Sequence, residues 1–356
     1  MEQKSVLIGM SGGVDSSVAA ALLKEQGYHV IGATMRLWTY SDSCNMKHEG
    51  CCAESAVEDA RRVCDKLGID FYVMNFKDMF KDKVVDYFVD EYIHGRTPNP
   101  CIACNKYLKF DALLKKALAM VIHYVATGHY AKIEKGEDGK YILRASEAVK
   151  KDQSYVLYNF TQEQLAHTLM PLGGYNKDWV RQKAEELGLG VAHKPDSQEI
   201  CFVEDDDYAK FITDYSGYEP KEGDILDVNG NVIGKHRGLI YYTIGQRKGI
   251  GAYGRPMFVM KIDAENNTIT LGEKGMEFSN ELTAYDVNFV SGEFPKENML
   301  ITAKVRYQAP PAAAMLCPQK DGTVKLMFPE PQRAVTPGQA VVFYDGDIVL
   351  GGGTVL

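Results

Sequence analysis

A chain of 356 residues is long enough for two or three domains, each with its own core. With 45% apolar and 25% charged residues it has the composition of a soluble globular protein, and no apolar run approaches the roughly 18 residues of a membrane span. Strand-like sequence begins almost at the first residue, with no signal-peptide pattern before it, so a cytoplasmic protein without a membrane partner is expected. The net charge of −8 excludes a surface coated in basic charge but leaves room for a local basic patch that holds phosphates. Eight cysteines in such a compartment point to thiol chemistry or metal before a disulfide framework.

The first apolar run, Ser5 to Met10, reads as a buried parallel strand. Ser-Gly-Gly-Val-Asp-Ser-Ser follows at Ser11 to Ser17, and then a helix that Gly27 stops. Strand, glycine turn and helix make a phosphate site: paired glycines turn backbone N–H groups inward, and the helix N-terminus adds partial positive charge. Ser11, Ser16 and Ser17 add hydroxyls. Asp15 is out of place beside an anion unless Mg²⁺ accompanies the phosphates or the carboxylate caps the helix. The loop has no Gly-Lys-Ser/Thr ending and no Gly-x-Gly-x-x-Gly spacing, which excludes the γ-phosphate-transferring loop and the dinucleotide fingerprint. It resembles the pyrophosphate loop of the ATP-pyrophosphatase (PP-loop) families, in which a substrate oxygen attacks the α-phosphate and pyrophosphate leaves.

Strand and helix then alternate. His29 to Met35 is a second strand, and a cysteine-bearing loop runs from Trp38 to Cys52. Ala53 to Leu67 is a helix, Ile69 to Asn75 a third strand, Phe76 to His94 and Asn105 to Met120 long helices, and His123 to Gly128 a fourth strand. The pattern predicts an α/β fold with a doubly wound parallel sheet, whose ligands sit beyond the strands' carboxyl ends. Met35 and Gly128 fall at such ends. They either cover an adenine ring and admit a nucleotide, or are a core methionine and a turn glycine. Ile133 to Ala145 reads as a hairpin, Lys150 to Tyr155 as a polar and basic stretch, and Ser154–Phe160, Gln162–Leu169 and Asp178–Leu187 as helices. After Cys201 an acidic run, Glu204 to Asp207, reads as a solvated turn or helix start. Short alternating runs broken by Gly, Asn and Pro follow. The expected division is a catalytic domain over residues 1–203, a small mixed or β domain over 204–280 and a C-terminal β-barrel over 281–356.

Two cysteine sites stand out. Cys101-x-x-Cys104 precedes the helix expected from Asn105, where the dipole would stabilise a thiolate. Such a pair is more often metal-binding or redox-active than structural. Cys201 follows a polar turn and is either a buried apolar residue or a reactive thiol. Cys44, Cys51 and Cys52 form a weak metal signal, and Cys64 and Cys317 look like core positions.

From Ser11 to its C-terminus the chain resembles the tRNA-specific 2-thiouridylases (the MnmA/TrmU family). The resemblance is carried by Ser11 to Ser17, Gly50 to Cys52, Thr97 to Pro100, Cys104 to Lys106 with Lys109 and Phe110, Ala126 to Tyr130, Lys151 to Tyr155, Ser197 to Phe202 and Thr243 to Gly249. Other PP-loop enzymes share only the first of these. The resemblance implies an adenine nucleotide alpha hydrolase-like catalytic domain, and an ATP site at Gly9, Met10, Ser11, Gly12, Gly13, Val14, Asp15, Ser16, Met35 and Gly128, with Mg²⁺. It implies adenylation of O2 of the wobble uridine, Cys201 as the persulfide carrier loaded by an upstream sulfur-relay protein, Cys104 as nucleophile, and a Cys104–Cys201 disulfide after turnover. It implies tRNA, and not DNA, as partner, contacted through His129, Lys151, Asp152, Gln153, Arg306, Tyr307 and Gln339.

One position departs from the family. Members commonly carry Asp three residues before the nucleophile, and here Cys101 stands there. No carboxylate base is available at that point, and Cys101, Cys104 and Cys201 form an alternative ligand set for a [4Fe-4S] cluster. Two further readings remain open: a PP-loop synthetase that adenylates a carboxylate or urea-like group, and a non-catalytic RNA-binding protein with a regulatory nucleotide site.

Overall fold

The computed structural model describes residues 3–38, 54–148, 151–196, 200–203 and 206–356. Cys44, Cys51 and Cys52, with Gly50, Lys150, Ser197, Glu204 and Asp205, lie outside the described residues.

Strand β1 (Ser5–Gly9) is apolar at consecutive positions, and Val6, Leu7 and Ile8 are fully buried. A strand covered on both faces needs such a run. Its parallel neighbours are β2 (His29–Arg36) on one side and β4 (Tyr124–Ala126) on the other. With β3 (Asp70–Asn75) and β7 (Thr168–Leu169) the sheet order is β3-β2-β1-β4-β7, parallel throughout. This is the expected doubly wound sheet, and its order reverses between β1 and β4, where the ends of adjacent strands leave a crevice. Strand β7 was expected as helix: its two residues leave no period-2 signal, and pairing with β4 recruits them.

Helix α1 (Val14–Glu25) packs Val18, Ala19, Ala20 and Leu23 under the sheet, and α2 (Glu54–Leu67) packs Ala56, Ala60, Val63 and Cys64. The two long helices differ from expectation. Residues 77–93 contain a π-helical stretch, Lys81–Asp86, and residues 100–119 contain another, Cys104–Ala112. The second helix starts at Pro100, five residues earlier than its apolar periodicity suggested. Asn99 caps it by accepting from the N–H groups of Cys101 (3.1 Å) and Ile102 (3.3 Å), and proline suits the first helical position.

The central domain begins with a helix, Tyr208–Ser216, whose N-cap is Asp207, so the described end of the acidic run is a helix start. It continues as a four-stranded sheet ordered β10-β11-β8-β9: β8 (Gly223–Leu226), β9 (Val232–His236), β10 (Met257–Asp263) and β11 (Thr268–Glu273).

The C-terminal strands close into a barrel in the order β12-β15-β14-β13-β16-β17, with β12 (Phe278–Phe289) pairing back to β17 (Ile348–Val355). The other staves are β13 (Met299–Lys304), β14 (Ala312–Pro318), β15 (Val324–Arg333) and β16 (Ala340–Asp345). Cys317 is half-buried rather than a core residue. Val341 and Phe343 of β16 fill the barrel, while Ala340, Val342 and Tyr344 on its other face join the core of the N-terminal domain. Fully buried Val341, Val342 and Phe343 each contribute about 1.5–3 kcal/mol. The N-terminal domain reaches across in return. Its hairpin, β5 (Ala131–Lys135) with β6 (Tyr141–Ala145), extends the barrel sheet by pairing with β17, and buried Tyr155 donates to the Ala340 carbonyl (2.6 Å).

Candidate active site

The loop after β1 turns at Gly12, whose φ is +70° and whose missing Cβ would lie 2.3 Å from the Ala56 carbonyl oxygen. Only glycine fits there. Gly13 is the N-cap of α1 and no side chain caps the helix, so the first-turn N–H groups face the crevice without a side-chain acceptor. Gly128, just beyond β4, closes the other side: a Cβ there would lie 2.7 Å from the Ser16 amide nitrogen. Gly128→Ala is expected to cost about 1–3 kcal/mol, because backbone meets backbone and neither yields. Chemical denaturation and a nucleotide-binding titration check both the stability loss and the accompanying loss of affinity.

Between these loops lies a cavity of about 300 Å³. Ala33, Met35, Leu37 and Leu113 form its apolar wall, and Ser11, Asp15, Ser16, Lys109, Thr127, His129 and Gln153 its polar one. An apolar wall beside a helix N-terminus and a lysine has the chemistry to take a ligand that is apolar at one end and anionic at the other. Ser16 Oγ accepts from the Ser11 N–H (3.2 Å) and donates to the Gly13 carbonyl (3.2 Å), which holds the loop in its turn. Ser17 is fully buried and donates back to the same carbonyl (2.8 Å), so it is a loop fastener rather than a third hydroxyl donor.

Asp15 answers its puzzle in a third way. It does not cap the helix; it accepts from the Tyr130 hydroxyl (2.7 Å) and from Lys177 Nζ (2.7 and 2.8 Å). Burial, then the Asp15 charge, raises the Tyr130 phenol far above its usual range. Among the described residues lining the cavity Asp15 is the only carboxylate, and a cation accompanying phosphates would have to share it with Lys177.

Lys177 also pairs with Asp196 (2.7 Å), which Lys151 (2.6 Å) and Arg181 (3.2 Å) approach as well. Burial pushes the Asp196 carboxyl up, but the hydrogen bonds from Lys151 and Lys177 outweigh it and bring the group down to about 2. Asp196 therefore stabilises the fold above the ordinary carboxylate range, and that contribution fades as pH falls from about 4 toward 2. In an acid titration of melting temperature, Asp196→Asn is expected to lie well below wild type at pH 6 and to converge with it near pH 2. Two residues earlier, Lys194 donates to the Gly12 carbonyl (3.3 Å) and pairs with Asp59 (3.0 Å). The segment before Cys201 is thus joined to the phosphate loop directly by Lys194 and, through Lys177, by Asp196.

Cys201 is half-buried. Its neighbour Phe202 is 1% exposed and packs against Phe80, Phe88 and Phe211 with ring centroids 5.1–5.7 Å apart. Cys104 is buried in the same apolar cluster. Because the helix starts at Pro100, Cys104 begins its second turn and Cys101 occupies its first. Cys101 is accessible, yet protein surrounds its thiol, with Lys109 and Tyr307 near enough to act on its charge. Burial raises its thiol, Lys109 opposing, so the dipole does not make it a thiolate as expected. Among the described residues no three His, Cys, Asp or Glu side chains gather into a metal-holding group. Cys101, Cys104 and Cys201 do not form such a group: Cys101 is exposed, Cys104 buried and Cys201 half-buried.

The residues expected to meet tRNA divide into two groups. His129 accompanies Thr127 (2.6 Å) at the cavity wall, and burial, with Lys109, holds it well below its usual range and so neutral. Tyr307 is exposed and donates to the Asp152 carbonyl (3.1 Å). Lys151 is part-exposed beside Asp196. The others face inward. Asp152 accepts from Ser146 and Ser154, and Gln153 accepts from the Tyr130 N–H (3.0 Å). Gln339 donates to the Thr97 carbonyl (2.8 Å), tying the Thr97–Pro100 segment to the barrel. Arg306 donates to the carbonyls of Ala334 (3.1 Å) and Ile244 (2.9 Å) and to Thr336. Sequence reasoning missed Lys177 and Lys304, and gave no site role to Lys109, which it named within a family motif, or to Lys194 and Asp196, which stand in the run before Cys201. Lys304 lies 5.7–5.8 Å from the ring centroids of Tyr155 and Tyr307. A Lys-Pro-Asp run just before Cys201 was a usable signal for two of them; Lys177 and Lys304 had none.

Among the described residues no helix is long and apolar enough to cross a membrane. Protein-family models described as the tRNA methyl transferase HUP domain, the tRNA methyl transferase PRC-barrel domain and the aminomethyltransferase beta-barrel domain match residues 4–205, 209–273 and 279–355. The chain is 59% identical to the tRNA-specific 2-thiouridylase MnmA of Acetivibrio thermocellus, over all of both chains. It is 58% identical to that of Clostridioides difficile, covering 99% of this chain and 98% of the relative. It is 56% identical to that of Clostridium botulinum, covering 100% and 98%. With identity at this level running the length of both proteins, the chain belongs to the tRNA-specific 2-thiouridylase family.

Proposed function

We propose that this protein is an ATP-dependent tRNA-uridine 2-sulfurtransferase that replaces O2 of the wobble uridine with sulfur. The observation that carries the reading is that the segment before Cys201 is joined to the phosphate loop, directly by Lys194 and through Lys177 by Asp196, with Cys104 in the same apolar cluster as Cys201. ATP would lie along Gly9 to Ser16 with its adenine against Met35 and its phosphates at the N-terminus of α1, Gly128 closing over them. Mg²⁺ would share Asp15 and offset phosphate charge.

The chemistry explains the residue set. A carbonyl oxygen is a poor leaving group, so uracil O2 attacks the α-phosphate and pyrophosphate departs. The terminal sulfur of a Cys201 persulfide, delivered by a sulfur-relay protein, then attacks C2 and AMP leaves. Cys104 thiolate attacks the Cys201 sulfur; that S–S bond breaks, 2-thiouridine is released, and Cys104 and Cys201 remain as a disulfide. An external dithiol supplies the two electrons that reset the pair. Alternatively Cys104 frees the outer sulfur before it attacks C2, with the same balance. Cys101, its thiol raised by burial, is protonated at neutral pH and is no substitute for a carboxylate base. In this reading residues 1–203 hold the chemistry, while 204–280 and 281–356 support tRNA. The contacts are His129, Lys151 and Tyr307 directly, with Asp152, Gln153, Arg306 and Gln339 shaping the surface.

Methyl transfer, which two of the family-model descriptions mention, would use neither the phosphate loop nor the two thiols. The test is nucleoside mass spectrometry after incubating unmodified tRNA with purified protein, ATP, Mg²⁺ and a persulfide donor. 2-Thiouridine formed in air by iron-free protein is expected. Product formed only anaerobically by iron-loaded protein would overturn the persulfide route.

A further inference from the structure

We propose that the glycine-rich basic loop of the central domain, residues 243–256, is a second contact surface for tRNA that grips its phosphate backbone; the proposal rests on tRNA being the substrate. The Thr243 to Gly249 run stands out in the sequence, yet the reaction above uses none of it.

The loop is built to hold a fixed shape. Gln246 Oε1 accepts from the Thr243 N–H (2.9 Å), and its Nε2 donates to the carbonyls of Tyr241 (3.2 Å) and Lys248 (2.9 Å). Backbone bonds from Gly245 to Val259 (2.8 Å) and from Val259 to Gln246 (3.0 Å) fasten it to β10. A loop ordered by folding has little left to order on binding.

Its charge is of one sign. Arg247 and Lys248 are exposed, and among the described residues neither side chain has an ion-pair partner; Arg255 is paired with exposed Glu273 (2.6 Å). With Tyr253, Arg247 and Arg255 line an open cavity of about 350 Å³ to which no carboxylate contributes. On a chain of net charge −8, such a patch attracts a polyanion locally. Guanidinium groups match phosphate oxygens in pairs, and a tyrosine ring beside them suits a ribose or base.

The patch is continuous with the tRNA-facing part of the barrel. Arg306 donates to the Ile244 carbonyl at the start of the loop, and Gly245 packs on Ala334, while the next residue after Arg306 is exposed Tyr307. The inward-facing Arg306 thus positions a loop whose own arginines face outward. The cavity shares no residue with the nucleotide site, so its role is to hold the substrate rather than to react.

The test compares wild type with the double variant Arg247→Gln, Lys248→Gln, titrating unmodified full-length tRNA over a salt series. Affinity is expected to fall about tenfold at moderate salt, and the slope of log affinity against log salt to shrink by about 1.5–2, two lost phosphate contacts. The KM for tRNA in pyrophosphate release should rise while kcat and the KM for ATP hold. The charge-keeping variant Arg247→Lys, Lys248→Arg should retain most of the affinity; if it loses as much as the neutral variant, the effect is structural and the proposal falls. An unchanged slope in the neutral variant, with wild type binding normally, overturns the surface alone. Failure of wild type to bind tRNA overturns the functional reading and the surface with it.

Discussion

Replacing Cys201 with serine is expected to stop 2-thiouridine formation, by about a thousandfold or more, while tRNA-dependent pyrophosphate release continues. A hydroxyl cannot carry a persulfide, so no sulfur arrives. The adenylation half is left alone because it depends on the phosphate loop, to which the segment before Cys201 is joined directly by Lys194 and, through Lys177, by Asp196. Serine fits the half-buried position, and Phe202 still anchors the segment in its aromatic cluster. The measurement is paired: nucleoside mass spectrometry for product, and a coupled pyrophosphate assay with and without tRNA. Loss of pyrophosphate release in the same variant would sink the division of roles. Cys104→Ser should also fail to turn over, but with sulfur trapped between Cys201 and the uridine, a covalent protein–RNA species that a reductant releases.

Asp15→Ala is expected to lower ATP turnover about a hundredfold or more while tRNA affinity stays within about twofold. Asp15 is the carboxylate at the cavity edge, and its removal withdraws a partner from Tyr130 and Lys177 together. Lys177 keeps Asp196, so the charge network does not collapse. Filter binding measures tRNA affinity and a melting curve reports the fold. A fall in tRNA affinity with an unchanged melting temperature would move Asp15 from the nucleotide to the RNA; a fall in both would make it a structural residue.

Of the expectations that the structure altered, most concern where a local signal ends. Asn99 and Pro100 lie before the helix expected from Asn105, yet cap and first-turn proline together start a helix there and carry Cys101 and Cys104 into it. The π-helical stretch beginning at Cys104 was not anticipated, because a search for apolar residues at the α-helical period has no template for i→i+5 bonding. Strand β14 has three alanines in a row, too small to show alternation, and forms because β13 and β15 offer it partners on both sides.

The phosphate loop was legible from the sequence alone because its parts are neighbours: a buried strand, a glycine turn and a helix start within a dozen residues. The alternation of strand and helix, and the change of texture after Cys201, were legible for the same reason. What only the tertiary structure decided are the partnerships across long separations. Lys177 reaches Asp15 across 162 positions, Lys194 reaches Gly12 across 182, and Gln339 reaches Thr97 across 242. None of these leaves a periodic trace, since a salt bridge depends on where two elements are brought in space and not on spacing along the chain. The same holds for β16, whose unbroken apolar run announces burial on both faces but cannot say that one face fills a barrel and the other seals the N-terminal domain.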